Sequence, residues 1–105
     1  MARFDVYANP GRHADSTPYL LDVQSDLLDG LESCVVIPLR RRERFAAVPL
    51  ADRLTPTVRI EGAEYMLETP KMGAVPRRAL GAPLLSLAAE RARVTAAMDF
   101  LFQGF

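Results

Sequence analysis

Hydrophobic and polar positions alternate at the start of the chain, Phe4 and Val6 against Arg3 and Asp5, which is the two-residue period of a strand with one buried face. A first strand is expected over residues 3–8. Asn9-Pro10-Gly11 ends it, because proline removes a backbone donor and glycine admits left-handed dihedrals, and the polar stretch to Pro18 reads as a loop. Alternation resumes over residues 19–24, with Tyr19, Leu21 and Val23 on one face and Leu20, Asp22 and Gln24 on the other. Ser25-Asp26 breaks this second strand. Leu27, Leu28 and Leu31 then fall among Asp29, Gly30 and Glu32 as a loop or single helical turn, and apolar side chains so placed need a partner surface.

The continuous β-branched run over residues 34–39 predicts a third strand covered on both faces. Pro38 cannot donate to a ladder, so pairing should be one-sided or interrupted there, at an edge or at a bend into a second small sheet. The charge run over residues 40–44 reads as a solvated loop, and Pro49 breaks the segment after it. Residues 56–61 and 64–69 form a hairpin about Glu61-Gly62-Ala63, and only a short strand around Ala74-Val75 fits among the prolines and glycines that come next. The period then changes. Leu84, Leu87, Arg91, Val94, Met98 and Leu101 recur at spacings of three and four, which predicts an amphipathic helix with Ser86 as its cap and an apolar end, Phe102-Gln103-Gly104-Phe105.

A chain of 105 residues is expected to close around one core as a single domain. Thirteen basic and thirteen acidic side chains cancel, so no global field draws the protein to nucleic acid or to an anionic membrane. The one cysteine, Cys34, excludes an intrachain disulfide and fits a reducing compartment, which makes the cytoplasm the expected location. Arg3 and Asp5 interrupt the apolar stretch that a signal peptide would need, and no apolar run approaches the roughly 20 residues of a membrane span.

Little in the sequence supports catalysis. His13 is the only histidine and lies in the first loop without a second histidine to work with. Cys34 opens an apolar strand and reads as a packed side chain, and one His with one Cys cannot assemble a metal centre. No glycine-rich phosphate loop is present, so no metal or cofactor is expected. Asp22, Asp26 and Asp29 are spaced too irregularly for a calcium loop and read as solvated or turn-forming.

The order of segments is itself informative. Phe4-Asp5-Val6-Tyr7, then Tyr19-Leu20-Leu21-Asp22-Val23-Gln24-Ser25-Asp26-Leu27, then Val35-Val36-Ile37-Pro38-Leu39, resemble the amino-terminal half of the CcdB family of toxin–antitoxin toxins. The likeness continues through Leu54-Thr55-Pro56-Thr57-Val58-Arg59-Ile60, Val75-Pro76 and Leu80-Gly81 to the closing Ala97-Met98-Asp99-Phe100-Leu101-Phe102-Gln103-Gly104-Phe105. It implies a mainly β fold: an SH3-like barrel of antiparallel strands with a small accessory sheet and a carboxyl-terminal helix, assembled as a homodimer. It also implies a toxin that is not an enzyme, binds the DNA gyrase A subunit, traps the cleaved gyrase–DNA complex and is neutralised by a CcdA-like antitoxin.

Carried over by position, the resemblance places gyrase binding on Ser25, Leu27 and Leu28 and on Asp99, Phe102, Gln103, Gly104 and Phe105. Gln103 departs from the family pattern, which has tryptophan there; glutamine can hydrogen-bond to a guanidinium but offers it no ring face. Phe105 replaces a smaller aliphatic end. The basic cluster Arg40, Arg41, Arg42 and Arg44 is the expected contact for an acidic antitoxin segment, on charge complementarity. Nothing in the chain adds a DNA-reading element of the toxin's own. The competing reading is a ribonuclease toxin of the MazF kind, for which Arg12 and His13 would be the nominal pair, although the Arg-Pro-Val segment of those sequences is missing. A third reading is a homologue whose gyrase poisoning has been lost or redirected.

Overall fold

A computed structural model describes residues 2–42 and 51–105. The chain is mainly β, a curled antiparallel half-barrel closed on one side by a carboxyl-terminal helix. Its strands are β1 (Asp5–Ala8), β2 (Tyr19–Asp22), β3 (Ser33–Arg41), β4 (Thr57–Ile60), β5 (Ala63–Leu67), β6 (Gly73–Pro76) and β7 (Leu85–Ser86). The helices are α1 (Ala51–Leu54) and α2 (Arg91–Gln103). Along the sheet the order is β4-β5-β3-β2-β1-β7, with β6 branching from β3.

The alternation expected in β2 and the two covered faces expected of β3 divide two cores. Leu21, Val23, Ile37 and Leu39 enter the main core with Val6, Val58, Leu67, Val94 and Ala97, whereas Leu20, Cys34 and Val36 form a second, smaller core on the opposite face with Val75 and Leu80. The interruption expected at Pro38 falls on one edge of β3. Pairing with β6 ends at Val36 and pairing with β5 begins at Leu39, while β2 pairs continuously with Leu39 to Val36 on the other edge. The Pro38 carbonyl accepts the Glu68 N–H at 2.9 Å. The β4–β5 hairpin turns through Glu61 (φ 52°) and Gly62 (φ 82°) between the paired Ile60 and Ala63, a two-residue turn whose twist suits the flanking strands.

Four expectations need correction. β1 starts at Asp5 because Phe4 takes a φ of 73°, which no extended strand can carry. Arg40 and Arg41 are not loop residues, since they continue β3 opposite Met66 and Tyr65; Arg44 and Pro49 lie outside the described residues. The helix begins at Arg91, several residues after its expected start, because Leu85 and Ser86 pair with Val6 and Asp5 as β7 and Leu87 donates its N–H to the Phe4 carbonyl at 2.8 Å. Ser86 instead ends β7, and its Oγ accepts the Ala88 N–H at 3.1 Å, bending the chain ahead of the helix. Finally, Asp22 is not solvated, being only 3 % exposed beside the second core. No helix among the described residues is long and apolar enough to cross a membrane.

Candidate functional site

The exposed apolar cluster after β2 is a built feature. Ser25 caps a 3-10 turn over Asp26–Leu28, its Oγ accepting the Leu27 N–H at 3.2 Å and its carbonyl accepting the Leu28 N–H at 3.0 Å. Leu27 stands 94 % exposed at the apex, with Leu28 and Leu31 about half exposed beside it. Two side chains hold this tip from below. Gln24 bridges the base of the loop, its Nε2 donating to the Ser33 carbonyl at 3.1 Å and its Oε1 accepting the Val35 N–H at 3.1 Å. Arg77 reaches in from the turn after β6, where its Nε donates to the Leu31 carbonyl at 2.7 Å and its guanidinium pairs with Asp29 at 3.5 Å. Both residues also approach the Leu28 carbonyl, at 3.4 Å each.

Neither of these tethers is evident in the sequence as a site residue. Gln24 ends an apparent strand and Arg77 lies 46 residues from the carbonyl it holds. Beneath Gln24, Asp22 Oδ1 accepts the Gln24 N–H at 2.9 Å. Burial pushes the Asp22 carboxyl pKa up, against the lowering by the Gln24 N–H and the Cys34 thiol. Cys34 is fully buried, and desolvation followed by the hydrogen bond to Asp22 pushes its thiol up to about 12. It is therefore a neutral, inaccessible thiol, as its packing role predicts. Tyr7, also fully buried beside this group, is pushed up to about 12, mainly by desolvation.

The second expected cluster closes α2. Gly104 adopts φ 81° and donates its N–H to the Phe100 carbonyl at 2.9 Å, the left-handed cap that ends a helix. Beyond the buried Val94 and Ala97, the helix leaves Asp99, Phe102, Gln103, Gly104 and Phe105 exposed, with Phe102 at 69 % and Phe105 at 76 %. The Arg53 guanidinium of α1 sits 4.4 Å from the centroid of the half-buried Phe100. The two clusters do not meet within one chain. Leu27 shares a cleft with Arg91, the first residue of α2, so the 13-residue helix separates it from Phe105 by about 20 Å at 1.5 Å per residue.

The basic residues fall on a different face. Arg40 lines a cleft of about 460 Å3 with His13, Ser16, Leu20, Glu68 and Lys71. Glu68, 7 % exposed, holds Arg40 at 3.8 Å and Lys71 at 3.6 Å. Arg41 fastens the first loop by donating from Nε to the Asp15 carbonyl at 2.8 Å, and Arg42 is half-buried beyond it. Arg12 is exposed and does not line the cleft that His13 enters. Among the described residues no group of three or more His, Cys, Asp or Glu side chains is arranged to hold a metal ion.

Comparison with curated proteins finds no match. A family model described as CcdB protein matches residues 3–104, which takes in the half-barrel, the Leu27 tip and the carboxyl-terminal cluster as far as Gly104. With nearly the whole length matched and a mainly β half-barrel ending in one helix, the chain belongs to the CcdB family, whose members are toxins of toxin–antitoxin systems.

Proposed function

We propose that this protein is a gyrase poison: a homodimeric toxin that binds the DNA gyrase A subunit, traps gyrase on cleaved DNA and is neutralised by a CcdA-like antitoxin. The observation that carries the reading is the exposure of large apolar side chains at two places where the family resemblance puts target contacts, Leu27 at 94 % and Phe105 at 76 %. Side chains of this kind are stabilised by docking on a partner, and rigid presentation of them lowers the ordering cost of binding.

Dimerisation makes one surface of two clusters. A second copy crossing α2 in the opposite direction brings Phe105 of one chain toward Leu27 of the other, and the exposed Ala92 and Ala96 on the outer face of α2 leave room for such an approach. The two-fold axis then presents two equivalent patches to a symmetric target. The antitoxin contact falls on the other face, where Arg40 and Lys71 rim a cleft floored by Leu20 and Pro38, a setting for an acidic segment with apolar neighbours. Arg42 and Arg44 extend that basic stretch in sequence.

The test is a supercoiling and DNA-cleavage assay with purified gyrase, comparing the protein with a variant that lacks Gly104 and Phe105. The expected result is inhibition with cleaved DNA trapped on gyrase, abolished by the truncation. A folded dimer with no effect on either reaction overturns the reading and directs the search to another target.

A further inference from the structure

Next to the Leu27 tip, where α2 begins, an open cleft of about 290 Å3 is lined by Arg3, Phe4, Ser25, Asp26, Leu27 and Arg91. Two guanidiniums share one aromatic ring there, Arg3 at 4.8 Å and Arg91 at 5.8 Å from the Phe4 centroid. Neither forms an ion pair among the described residues. Arg3 Nε donates to the Val23 carbonyl at 3.1 Å, and Asp26, the one carboxylate of the lining, spends Oδ1 on the Arg3 backbone N–H at 2.7 Å. The cleft thus carries two cations against one anion.

Several unfavourable features converge on this cleft. Phe4 is held at φ 73°, a left-handed conformation that is strained for a bulky residue, by its N–H on the Asp22 carbonyl at 2.7 Å and its carbonyl on the Leu87 N–H at 2.8 Å. Arg91 opens α2, where the positive end of the helix dipole disfavours a cation, and the helix has neither a side-chain cap nor an acidic residue in its first turn. Leu27 projects into solvent at the rim. Local inconsistencies concentrated on one surface are characteristic of functional sites, and uncompensated positive charge defines the chemistry that would relieve this one.

We propose that this cleft receives an aspartate or glutamate side chain from the protein on which Leu27 docks, its carboxylate lying between the guanidiniums of Arg3 and Arg91. The inference rests on the docking role given to Leu27 above, and it adds the charge that the target must carry beside the apolar contact. Arg91 supplies the specificity, because a target with a cation at that point is repelled.

Two measurements test it. Backbone amide shifts of the full-length protein are followed by NMR during titration with an N-acetylated hexaglutamate peptide at low salt. Shifts at Phe4, Leu27 and Ala92 that disappear in Arg91→Glu are expected; unmoved amides, or equal shifts in the variant, overturn the proposal. Arg91 is exposed, so the variant is expected to fold, and its thermal unfolding verifies this. In parallel, calorimetry with the gyrase A subunit should show Arg91→Glu binding at least about tenfold more weakly than the parent, with the parent's affinity falling as salt is raised. Equal binding by parent and variant overturns the proposal. A parent that binds hexaglutamate at the cleft but not gyrase A upholds the carboxylate site and refutes gyrase as the target.

Discussion

Asp22 is a carboxylate whose burial works against its charge. Its pKa in the folded chain is raised above the ordinary 3.8 by desolvation, so between 3.8 and the raised value the folded state holds more protons than the unfolded one. Stability contributed by this group therefore rises as pH falls through that window, and levels off below 3.8. Asp22→Asn keeps an oxygen for the Gln24 N–H and removes the titration. Denaturant titrations of parent and variant across mildly acidic pH should show the parent gaining stability relative to the variant as pH falls; a relative loss would contradict the burial argument. Sequence reading placed Asp22 in a solvated acidic patch because Asp26 and Asp29 follow it. The two-residue period already put Asp22 on the face of Leu20, but nothing local indicates that β6, more than fifty residues away, covers that face.

At the scale of elements, the exposed tip depends on side chains that span the fold. A short loop with an apolar apex would ordinarily fluctuate, yet Gln24 and Arg77 converge on it and give its carbonyls fixed donors. Removing the guanidinium with Arg77→Ala should accelerate hydrogen exchange at the Leu28 and Leu31 amides by about fivefold, the equivalent of one lost hydrogen bond of about 1 kcal/mol, while core amides in β3 keep their protection. Uniform acceleration throughout the chain would instead make Arg77 a general stabiliser. Strands β1 to β6 and the hairpin turn were legible because each has a local cause: alternation, a continuous apolar run or a turn glycine. The start of α2 was not. Leu84 and Leu87 match a helical spacing by coincidence, and it is pairing with β1, a contact some eighty residues back along the chain, that makes Leu85 and Ser86 a strand. Arg77 and the strained Phe4 were illegible for the same reason, since the partners that fix them are distant in sequence.

For the whole molecule, the separation of the two clusters along α2 has a consequence that a heterodimer can test. If each docking patch combines the Leu27 tip of one chain with the Phe105 end of the other, then damage to different clusters in different chains is complementary. Leu27→Asp should abolish gyrase A binding by the homodimer without unfolding it, because Leu27 is almost wholly exposed and surface substitutions usually change stability by less than about 0.5 kcal/mol. Deletion of Gly104 and Phe105 should do the same from the other end. A heterodimer of one chain of each kind has one patch with both defects and one with neither, so mixing two inactive proteins should restore binding at one site per dimer. Patches formed within a single chain would leave both sites of that heterodimer damaged, and no binding would return. Calorimetric stoichiometry of the purified heterodimer, produced with different affinity tags on the two chains, separates these arrangements. Restored binding at half the parental stoichiometry would establish that the target-binding surface belongs to the dimer, with α2 as the spacer that sets its width.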